Sequence, residues 1–247
     1  MRFFIELSYN GKAYHGWQIQ PNAITVQAVI EDALSKLLKQ KTTIFGAGRT
    51  DTGVHALQMF AHFDFEAKFD LENIVFKLNV FLPKDIAIHN IFEVKEDAHT
   101  RFSALSREYV YRIAIKKNVF TTDNSYYLKH ELDMLKMNEA AKILYNYKDF
   151  KCFSKSHTDV KTYNCDIMHA EWHILNEELV FTIKADRFLR NMVRAIVGTL
   201  INVGSGKMEI EELNTIIKSK NRMHAGASAP AHALYLSKIE YPKSIKL

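Results

Sequence analysis

The hydrophobic pattern of this chain passes twice through nearly the same order of secondary-structure elements, and this order restricts the fold more than any other feature. In the first half, apolar and polar residues alternate over 2–8, and apolar residues then recur at helical spacing over 25–40. Further strands and a second helix that stops before Pro83 complete a β-α-β-β-α-β order. They are predicted at 42–48, 58–67, 70–81 and 85–94.

The second half follows a similar order of strands and helices. A strand at 107–115 precedes a helix at 135–147, and residues 168–185 are typical of a hairpin that turns at Asn176 to Glu178. Two more helices and a closing strand are predicted at 187–203, 208–219 and 233–241.

This doubled order predicts an α+β protein made of two ferredoxin-like subdomains. Although the halves share no readable sequence repeat, β-α-β-β-α-β is the order of a split βαβ unit, an antiparallel sheet with helices on one side. We place the first subdomain at 1–103 and the second at 104–247, joined around a central active-site cleft. One continuous domain is the alternative.

Composition and charge are those of an ordinary globular protein. The 247 residues are 47% hydrophobic and 25% charged, which is enough for one large or two small cores. The N-terminus lacks the apolar region of a signal peptide, and no stretch approaches the roughly 18 apolar residues of a membrane helix. We therefore expect a soluble, cytoplasmic protein with no membrane partner. Cys152 and Cys165 lack metal-ligand spacing and predict free thiols without structural zinc.

The stretch FGAGRTDTGVHA, residues 45–56, places one carboxylate, Asp51, in a glycine-rich turn. It is not a phosphate-binding loop, because the third glycine of G-x-G-x-x-G and a GK[ST] sequence are both missing. Asp51 can simply bond neighbouring backbone N–H groups. Alternatively, Arg49 keeps Asp51 ionised and the glycines admit a bulky substrate, so that the carboxylate acts as a nucleophile or a base. Glycoside hydrolysis with a second acid is a further option, and candidates for that acid are Asp64, Glu66, Asp97 and Glu108.

Several separated motifs resemble those of the tRNA pseudouridine synthase A family, in the order in which that family carries them. GRTDTGVHA resembles the family's GRTDAGVHA, and SYNGKAYHGWQIQP resembles its YDGxxYxGWQxQ. RFSALSREYVYRI is similar to ARFSAxxRxYxYxI, FLRNMVRAIVGTL to FxxxMVRxIVGxL, and APAHALYLSKIEY to the closing segment. Shorter matches lie at Val26-Gln27, Leu78-Asn79 and Leu82 to Ile86. The resemblance covers nearly the whole chain.

The chain departs from the family pattern at a few positions. These are Asn10 for Asp, Thr52 for Ala, Thr100 where Ala is common, Ala233 for Gly, and 162–167, which lack an expected Arg. None of them removes a matched catalytic position. Thr52 lies beside Asp51 and leaves room for altered geometry or rate.

The resemblance implies an isomerase that converts uridine to pseudouridine in the anticodon stem-loop of tRNA, at positions 38, 39 and 40, without a cofactor or a metal. The C1′–N1 bond breaks, the uracil turns, and C5 bonds to C1′. This chemistry needs a carboxylate near the ribose and base and a cavity that excludes water. The resemblance gives that role to Asp51, which attacks the sugar or the base or removes the ribose 2′ hydrogen. It also implies a homodimer that binds one tRNA across two subunits.

Three further residues receive roles from the same resemblance. Tyr109 matches the active-site Tyr that stacks on the target base, although an ordinary strand aromatic is its alternative. Arg194 matches the Arg that pairs with the catalytic Asp, so a salt bridge with Asp51 is expected. Arg49 matches a residue that fills the space left by a flipped base, and an ion pair with Asp51 is its alternative.

RNA contacts are expected from polar, aromatic and basic side chains near these positions. The candidates are Tyr14, Trp17, Gln18, His55, Tyr111, Arg187 and Arg190. In the predicted helix at 187–203, the three arginines Arg187, Arg190 and Arg194 share one face, opposite an apolar stripe. A core position is the alternative for Trp17, and a solvated face is the alternative for Arg187. Basic clusters at 36–41, 116–117 and 218–222 would line an RNA path or simply be solvated.

Two other functional classes fit parts of the sequence. A non-catalytic RNA-binding protein would keep the basic clusters without needing Asp51, and a hydrolase would use Asp51 with a second acid. A third pattern, His169, Glu171 and His173, imitates metal ligands. Because these residues alternate in a predicted strand and lack the HExxH order, they favour a polar sheet face.

Overall fold

The structure, a computed structural model, describes residues 1–67, 69–155 and 160–247 and divides the chain into two compact units. Unit 1 comprises Met1–Leu105 and Leu236–Leu247, and unit 2 comprises Ser106–Tyr235. The expected border after residue 103 lies close to the end of the first segment. The C-terminal segment packs with unit 1, although its place in the doubled order of elements predicts the second half.

Strands and helices follow one another in the mixed order expected of an α+β protein. The strands are β1 (Arg2–Tyr9), β2 (Phe45–Gly46), β3 (His55–Asp64), β4 (Ile86–Val94), β5 (Ser106–Ala114), β6 (Tyr126–Tyr127), β7 (Ile167–Leu175), β8 (Glu178–Ala185) and β9 (Leu234–Glu240). The α-helices are α1 (Val26–Leu38), α2 (Leu71–Phe81), α3 (Met134–Ile143), α4 (Met192–Gly204) and α5 (Glu212–Ser219).

Unit 1 is built on a sheet with the strand order β4-β1-β3-β9, in which β1 is antiparallel to both β3 and β4. Helix α1 begins after Thr25, whose side chain accepts a hydrogen bond from the Ala28 N–H, and it ends at Lys39 in the left-handed conformation. Asp70 caps α2 in the same way, and α2 ends before Pro83 as predicted. The strand predicted at 42–48 is reduced to the two residues of β2.

Tyr241 ties the C-terminal segment to unit 1. Its ring meets Phe4 and Phe60 edge-on, with ring centroids 5.4 and 5.1 Å apart. Its hydroxyl donates a hydrogen bond to the carbonyl oxygen of Thr100 at 2.6 Å. These partners are far from Tyr241 in sequence, which is why residue patterns alone assign the segment to the second half.

Unit 2 is built on a sheet in which β8 lies between β5 and β7 and is antiparallel to both. The turn between β7 and β8 consists of Asn176 and Glu177, both with positive φ, as a two-residue hairpin requires. The predicted hairpin is therefore confirmed. Trp172 and Phe181, on facing strands, stack with ring centroids 4.9 Å apart.

The helix predicted at 187–203 begins only at Met192. Asn191 has a φ of 67°, and its side-chain amide donates a hydrogen bond to the hydroxyl of Ser228 at 2.6 Å, so the chain turns before the helix starts. Arg187 and Arg190 therefore lie in a non-helical segment. The cationic helix face expected from Arg187, Arg190 and Arg194 does not form, and that prediction is wrong.

The mixed composition of helices and mostly antiparallel strands confirms the α+β class. The ferredoxin-like type of each unit stays a prediction. Among the helices in the described ranges, none is long and apolar enough to cross a membrane.

Candidate active site

The segment between β2 and β3, residues 47–54, carries Asp51 and is named the Asp51 loop. Asp51 is half-buried, whereas Arg49 and Thr52 are exposed. The Val54 N–H donates a hydrogen bond to the Asp51 carbonyl oxygen at 3.1 Å, which closes a tight turn. Gly53 in this turn has a φ of 79°, a conformation that favours glycine. The turn presents Asp51 at a partly accessible position.

Two glycines allow the segment before α1 to lie directly against this loop. A Cβ on Gly46 would lie 2.3 Å from Nε1 of Trp17, so the indole packs on the bare backbone. A Cβ on Gly16 would lie 2.3 Å from the carbonyl oxygen of Thr50, and the φ of Gly16 is 86°. Gly16 and Gly46 therefore both allow the segment before α1 to pack against β2 and the Asp51 loop.

Hydrogen bonds with neighbouring elements of unit 1 also hold the loop in place. The hydroxyls of Tyr9 and Thr50 are 2.9 Å apart, and the Gly53 N–H donates to the Tyr14 carbonyl oxygen at 3.3 Å. The Gly11 N–H donates to Nδ1 of His55 at 3.0 Å. Because that nitrogen accepts, a neutral His55 carries its proton on Nε2. The loop is thus anchored to β1 and to the segment that follows β1.

Tyr14, Trp17 and His55 were expected to contact RNA, and all three side chains are buried. Their exposed fractions are 5%, 2% and 2%. The Tyr14 hydroxyl donates a hydrogen bond to the Asp85 carboxylate at 2.6 Å, and burial together with this bond raises the pKa of Tyr14 well above its usual range. The three side chains support the loop from within, and the core alternative for Trp17 is confirmed. Gln18 and Arg49 are exposed and stay candidates for RNA contact.

Gln27 is a supporting residue that sequence reasoning missed. Its amide nitrogen donates to the carbonyl oxygen of Ile44 at 2.9 Å, and its amide oxygen accepts from the Ile19 N–H at 3.1 Å. Glu31, one turn further along α1, accepts from the Ile44 N–H at 2.9 Å. Helix α1 therefore holds the backbone that leads into β2. The signal in the sequence was the Val26-Gln27 match, for which no role was assigned.

Tyr109 and Tyr111 lie two residues apart on β5 in unit 2 but differ in exposure. Tyr109 is half-buried, and its ring meets Phe188 edge-on with centroids 5.1 Å apart, which restricts the ring orientation. Tyr111 is fully buried, and its hydroxyl donates to the carbonyl oxygen of Pro230 at 3.0 Å. Burial raises the pKa of Tyr111 above its usual range. Tyr111, which was expected to contact RNA, thus lies in the core of unit 2.

Arg194 lies in the first turn of α4 and is fixed by the segment 226–229. Its Nε donates to the carbonyl oxygen of Ala229 at 2.7 Å, and the Ala229 N–H donates to the Arg194 carbonyl oxygen at 2.9 Å. A Cβ on Gly198 would lie 1.8 Å from the carbonyl oxygen of Ala227, so this segment runs along the bare backbone of α4. These contacts orient the guanidinium. The salt bridge predicted between Arg194 in unit 2 and Asp51 in unit 1 stays a prediction.

Several of the basic side chains considered for an RNA path have partners within the protein. Lys36, Lys116 and Lys220 form ion pairs with Asp32, Glu177 and Asp149 at 2.7, 2.7 and 2.8 Å. Exposed pairs of this kind are weak and can be exchanged for phosphate contacts. Arg222 differs, because its guanidinium donates to the carbonyl oxygens of Ala225 and Gly226 and to the Ser228 hydroxyl. Its role is local structure.

The remaining candidate ligands and thiols all lie in unit 2. His169 and Glu171 lie 3.7 Å apart on the partly exposed face of β7. Among residues 1–67, 69–155 and 160–247, no three His, Cys, Asp or Glu side chains are grouped as a metal site requires. Cys152 and Cys165 are free and buried, and burial raises the pKa of each thiol to about 12.

Comparisons with known proteins agree with these motifs. The family described as tRNA pseudouridine synthase matches residues 7–103 and 140–242, which include the Asp51 loop and α4. The curated tRNA pseudouridine synthase A of Bacteroides fragilis is 52% identical over 246 residues, covering 99% of this chain and 98% of the relative. That of Parabacteroides distasonis is 53% identical over 245 residues, with 99% and 97% covered. That of Bacillus pumilus is 40% identical over 245 residues, with 98% and 99% covered. This chain belongs to the tRNA pseudouridine synthase family.

Proposed function

We propose that this protein isomerises uridine to pseudouridine in tRNA and that Asp51 is its catalytic carboxylate. The main support for the proposal is the conformation of the Asp51 loop. A half-buried carboxylate lies in the motif GRTDTGVHA, and residues on both sides of it are held in place. The Thr50 hydroxyl bonds to that of Tyr9, the Gly53 N–H donates to the Tyr14 carbonyl oxygen, and Nδ1 of His55 accepts from the Gly11 N–H. Relatives named tRNA pseudouridine synthase A over nearly the full chain support tRNA as the substrate.

The reaction requires a group that engages the ribose or the base while the C1′–N1 bond is broken. Asp51 supplies an oriented carboxylate, which attacks the sugar or the base or removes the ribose 2′ hydrogen. After the uracil turns, C5 bonds to C1′, the proton on C5 leaves, and N1 takes up a proton, so the product is an isomer of the substrate. Because the loop is anchored before substrate binds, little reorganisation is needed when the reaction begins.

Unit 2 supplies the other proposed catalytic groups. Tyr109 stacks on the target base, and the edge of Phe188 fixes its ring. Arg194 pairs with Asp51 and keeps the carboxylate ionised, since a nearby cation favours the charged form. Each of the two units is a ferredoxin-like subdomain. These assignments rest on the motif matches.

The finer parts of the proposal concern the target and the assembly. The target uridines are at positions 38, 39 and 40 of the anticodon stem-loop, the protein is a cytoplasmic homodimer, and no cofactor takes part. Arg49 fills the space left by the flipped base. Gln18 and Arg190 are exposed and contact RNA, and the half-buried Arg187 adds a cation on the same segment as Arg190.

Release of tritium from C5-labelled uridine in tRNA tests the proposal. The parent protein releases tritium while the RNA chain stays intact, and Asp51→Asn reduces the rate by about a thousandfold or more without loss of tRNA affinity. Thr52→Ala, the neighbouring position, is the matched control and keeps most of the activity. An Asp51→Asn variant as fast as the parent contradicts the role of Asp51. Free uracil indicates a hydrolase, and tRNA binding without tritium release indicates a binding protein.

Arg194→Met tests the proposed ion pair in the same assay. Because the arginine is proposed to act on Asp51, the variant lowers the rate at neutral pH more than it lowers tRNA affinity. Arg190→Met, on the exposed segment before α4, is the control and affects affinity more than rate. The reverse pattern for Arg194→Met contradicts its pairing with Asp51.

A further inference from the structure

Thr100 is the centre of a buried hydrogen-bond network at the start of the Asp51 loop. The side chain is fully buried in unit 1. Its Oγ1 lies 2.8 Å from the carbonyl oxygen of Phe45 and 2.8 Å from Nδ1 of His62. Its own carbonyl oxygen accepts the hydrogen bond from Tyr241. One residue thus connects β2, β3 and the C-terminal segment.

The direction of these hydrogen bonds follows from counting protons. The Phe45 carbonyl can only accept, so the single proton of the Thr100 hydroxyl is donated to it. Nδ1 of His62 must then donate to the Thr100 oxygen, which fixes the tautomer of His62. A second contact of Nδ1, with the Thr100 N–H, is much longer at 3.4 Å. The donors therefore run in one order, from His62 through Thr100 to the backbone of Phe45.

The Phe45 carbonyl is important because Phe45 lies two residues before the Asp51 loop, between Ile44, which is bonded to α1, and Gly46, which packs against Trp17. Phe45 is the first of the two residues of β2, and its side chain is 57% exposed, so it is not anchored by burial. The strand pairs with β3 only at Phe45 and Gly46, followed by a hydrogen bond from the Ala47 N–H to the Phe60 carbonyl oxygen at 2.8 Å. The Asp51 loop begins at that point. A bond that fixes Phe45 therefore also fixes the direction in which the loop leaves the sheet.

We propose that Thr100 is a positioning residue, which holds the Asp51 loop in its reactive geometry through the carbonyl oxygen of Phe45. It cannot touch RNA, because it is fully buried. It is also one of the positions at which this chain departs from the family pattern, where Ala is common. This inference rests on the proposal that Asp51 is the catalytic carboxylate.

Two variants of Thr100 test the inference by separating the hydroxyl from the shape of the side chain. Thr100→Val keeps the shape and loses the hydroxyl, and it lowers kcat for tritium release about tenfold while KM for tRNA changes less than about twofold. Thr100→Ser keeps the hydroxyl and retains a kcat within about twofold of the parent. Unfolding in denaturant is measured for both variants.

Tyr241→Phe is the matched control for a merely structural role. It removes a buried hydroxyl bond to the backbone of the same residue but leaves the Phe45 carbonyl bonded. We expect Tyr241→Phe and Thr100→Val to lower the free energy of unfolding alike, whereas only Thr100→Val lowers kcat. If Thr100→Val does not fold, Thr100→Ala, the residue common in the family, takes its place.

Three results overturn the inference: an unchanged kcat in the variant without the hydroxyl, an equal loss of kcat in Thr100→Ser, or an equal loss in Tyr241→Phe. Asp51→Asn is assayed in parallel. If Asp51→Asn is fully active, the proposed function itself fails. If Asp51→Asn is inactive and the variant without the hydroxyl is fully active, only the role of Thr100 fails.

Discussion

The two regions proposed to take part in catalysis are held in place by different kinds of interaction. The Asp51 loop in unit 1 has no regular secondary structure, and it is held by hydrogen bonds and by the close approach of glycines such as Gly16. Tyr109 and Arg194 in unit 2 lie on a strand and a helix. The helix that carries Arg194 is almost entirely buried from Met192 to Gly204. Precise geometry depends on a few polar contacts in unit 1 and on core packing in unit 2.

This difference predicts which property each kind of mutation changes first. A lost polar contact near the loop removes little buried apolar surface, so it disturbs the orientation of Asp51 with a modest effect on folding. A change in the packing of α4 affects a tightly packed core, so it lowers stability before it alters the orientation of Arg194. Mutations in each unit therefore separate activity from stability.

The largest effect is expected from Gly198→Ala in unit 2. The new methyl group would lie 1.8 Å from the carbonyl oxygen of Ala227, so α4 and the segment 226–229 must separate. We expect the free energy of unfolding to fall by about 3 kcal/mol, measured by denaturant titration. Gly48→Ala is the control, because a Cβ on Gly48 meets nothing within 4 Å. A loss of less than about 1 kcal/mol in Gly198→Ala would show that unit 2 relaxes more easily than its packing suggests.

Gly16→Ala tests the same idea in unit 1 and should change activity more than stability. Its methyl group would strike the Thr50 carbonyl oxygen, next to Asp51, in a backbone conformation with a φ of 86°. We expect a loss of about 100-fold in kcat, with a smaller loss of stability than in Gly198→Ala. The matched variant Gly48→Ala, in the Asp51 loop, is the control for stability, because a Cβ there meets nothing within 4 Å. Equal losses of stability in Gly16→Ala and Gly198→Ala would break the contrast between the units.

Sequence patterns predicted those elements whose boundaries depend on local interactions. The hairpin at Asn176 and Glu177 was predicted because two strands and their turn are contiguous in sequence. The caps Thr25 and Asp70 likewise act on N–H groups three residues away. In each case the residues that decide the structure lie within a few positions of one another.

The start of α4 could not be predicted, because a distant residue determines it. Residues 187–191 continue the helical spacing of apolar residues, and Leu189 is buried as that spacing suggests. The left-handed conformation of Asn191 is held by Ser228, 37 positions away. A single sequence does not show this contact, and the arginines before Asn191 were therefore placed on the wrong element.

The candidate site was predictable in its motif but not in the burial of its aromatic residues. GRTDTGVHA singled out Asp51, and the structure gives it a partly accessible position. Tyr14 and Trp17 flank a glycine in a polar segment, a pattern equally typical of RNA contact and of a core contact. Their burial follows from the close approach of Gly16 and Gly46 to partners in other motifs. The contacts of Gly16 with Thr50 and of Gly46 with Trp17 are known only from the folded structure.

Acid should weaken unit 1 through His62. Burial is the main cause that lowers the pKa of His62 to about 4. His99 and Arg2 lower the pKa further, and Asp64 opposes them with a smaller effect. Between about pH 6.5 and pH 4 the unfolded chain binds this proton and the folded protein does not, so stability is constant above that window and falls as the pH decreases through it. We expect a loss of about 2 kcal/mol across the window.

Denaturant titrations at a series of pH values, with hydrogen exchange to locate the weakened strands, measure this effect. His62→Gln is the comparison and has a shallower dependence on pH. The groups of unit 2 whose pKa is shifted, such as Cys152, Cys165 and Tyr235, titrate outside the window. Equal weakening of both units in the parent, or an unchanged slope in His62→Gln, would contradict this assignment.

The smallest effect is expected from the two tyrosines of β5, and it tests the contrast within unit 2 itself. Tyr111→Phe leaves the carbonyl oxygen of Pro230 without its donor in the core, so it should lower the free energy of unfolding by about 1 kcal/mol and leave kcat unchanged. Tyr109→Phe keeps the ring and its contact with Phe188, so it should leave stability unchanged. Any fall in kcat for Tyr109→Phe then measures what its hydroxyl does in the reaction. Tyr111→Phe should not lower kcat as much as Tyr109→Phe does if packing and chemistry are separate along β5. An equal loss of kcat would show that a single polar contact in the core of unit 2 controls the reactive geometry, as in the Asp51 loop.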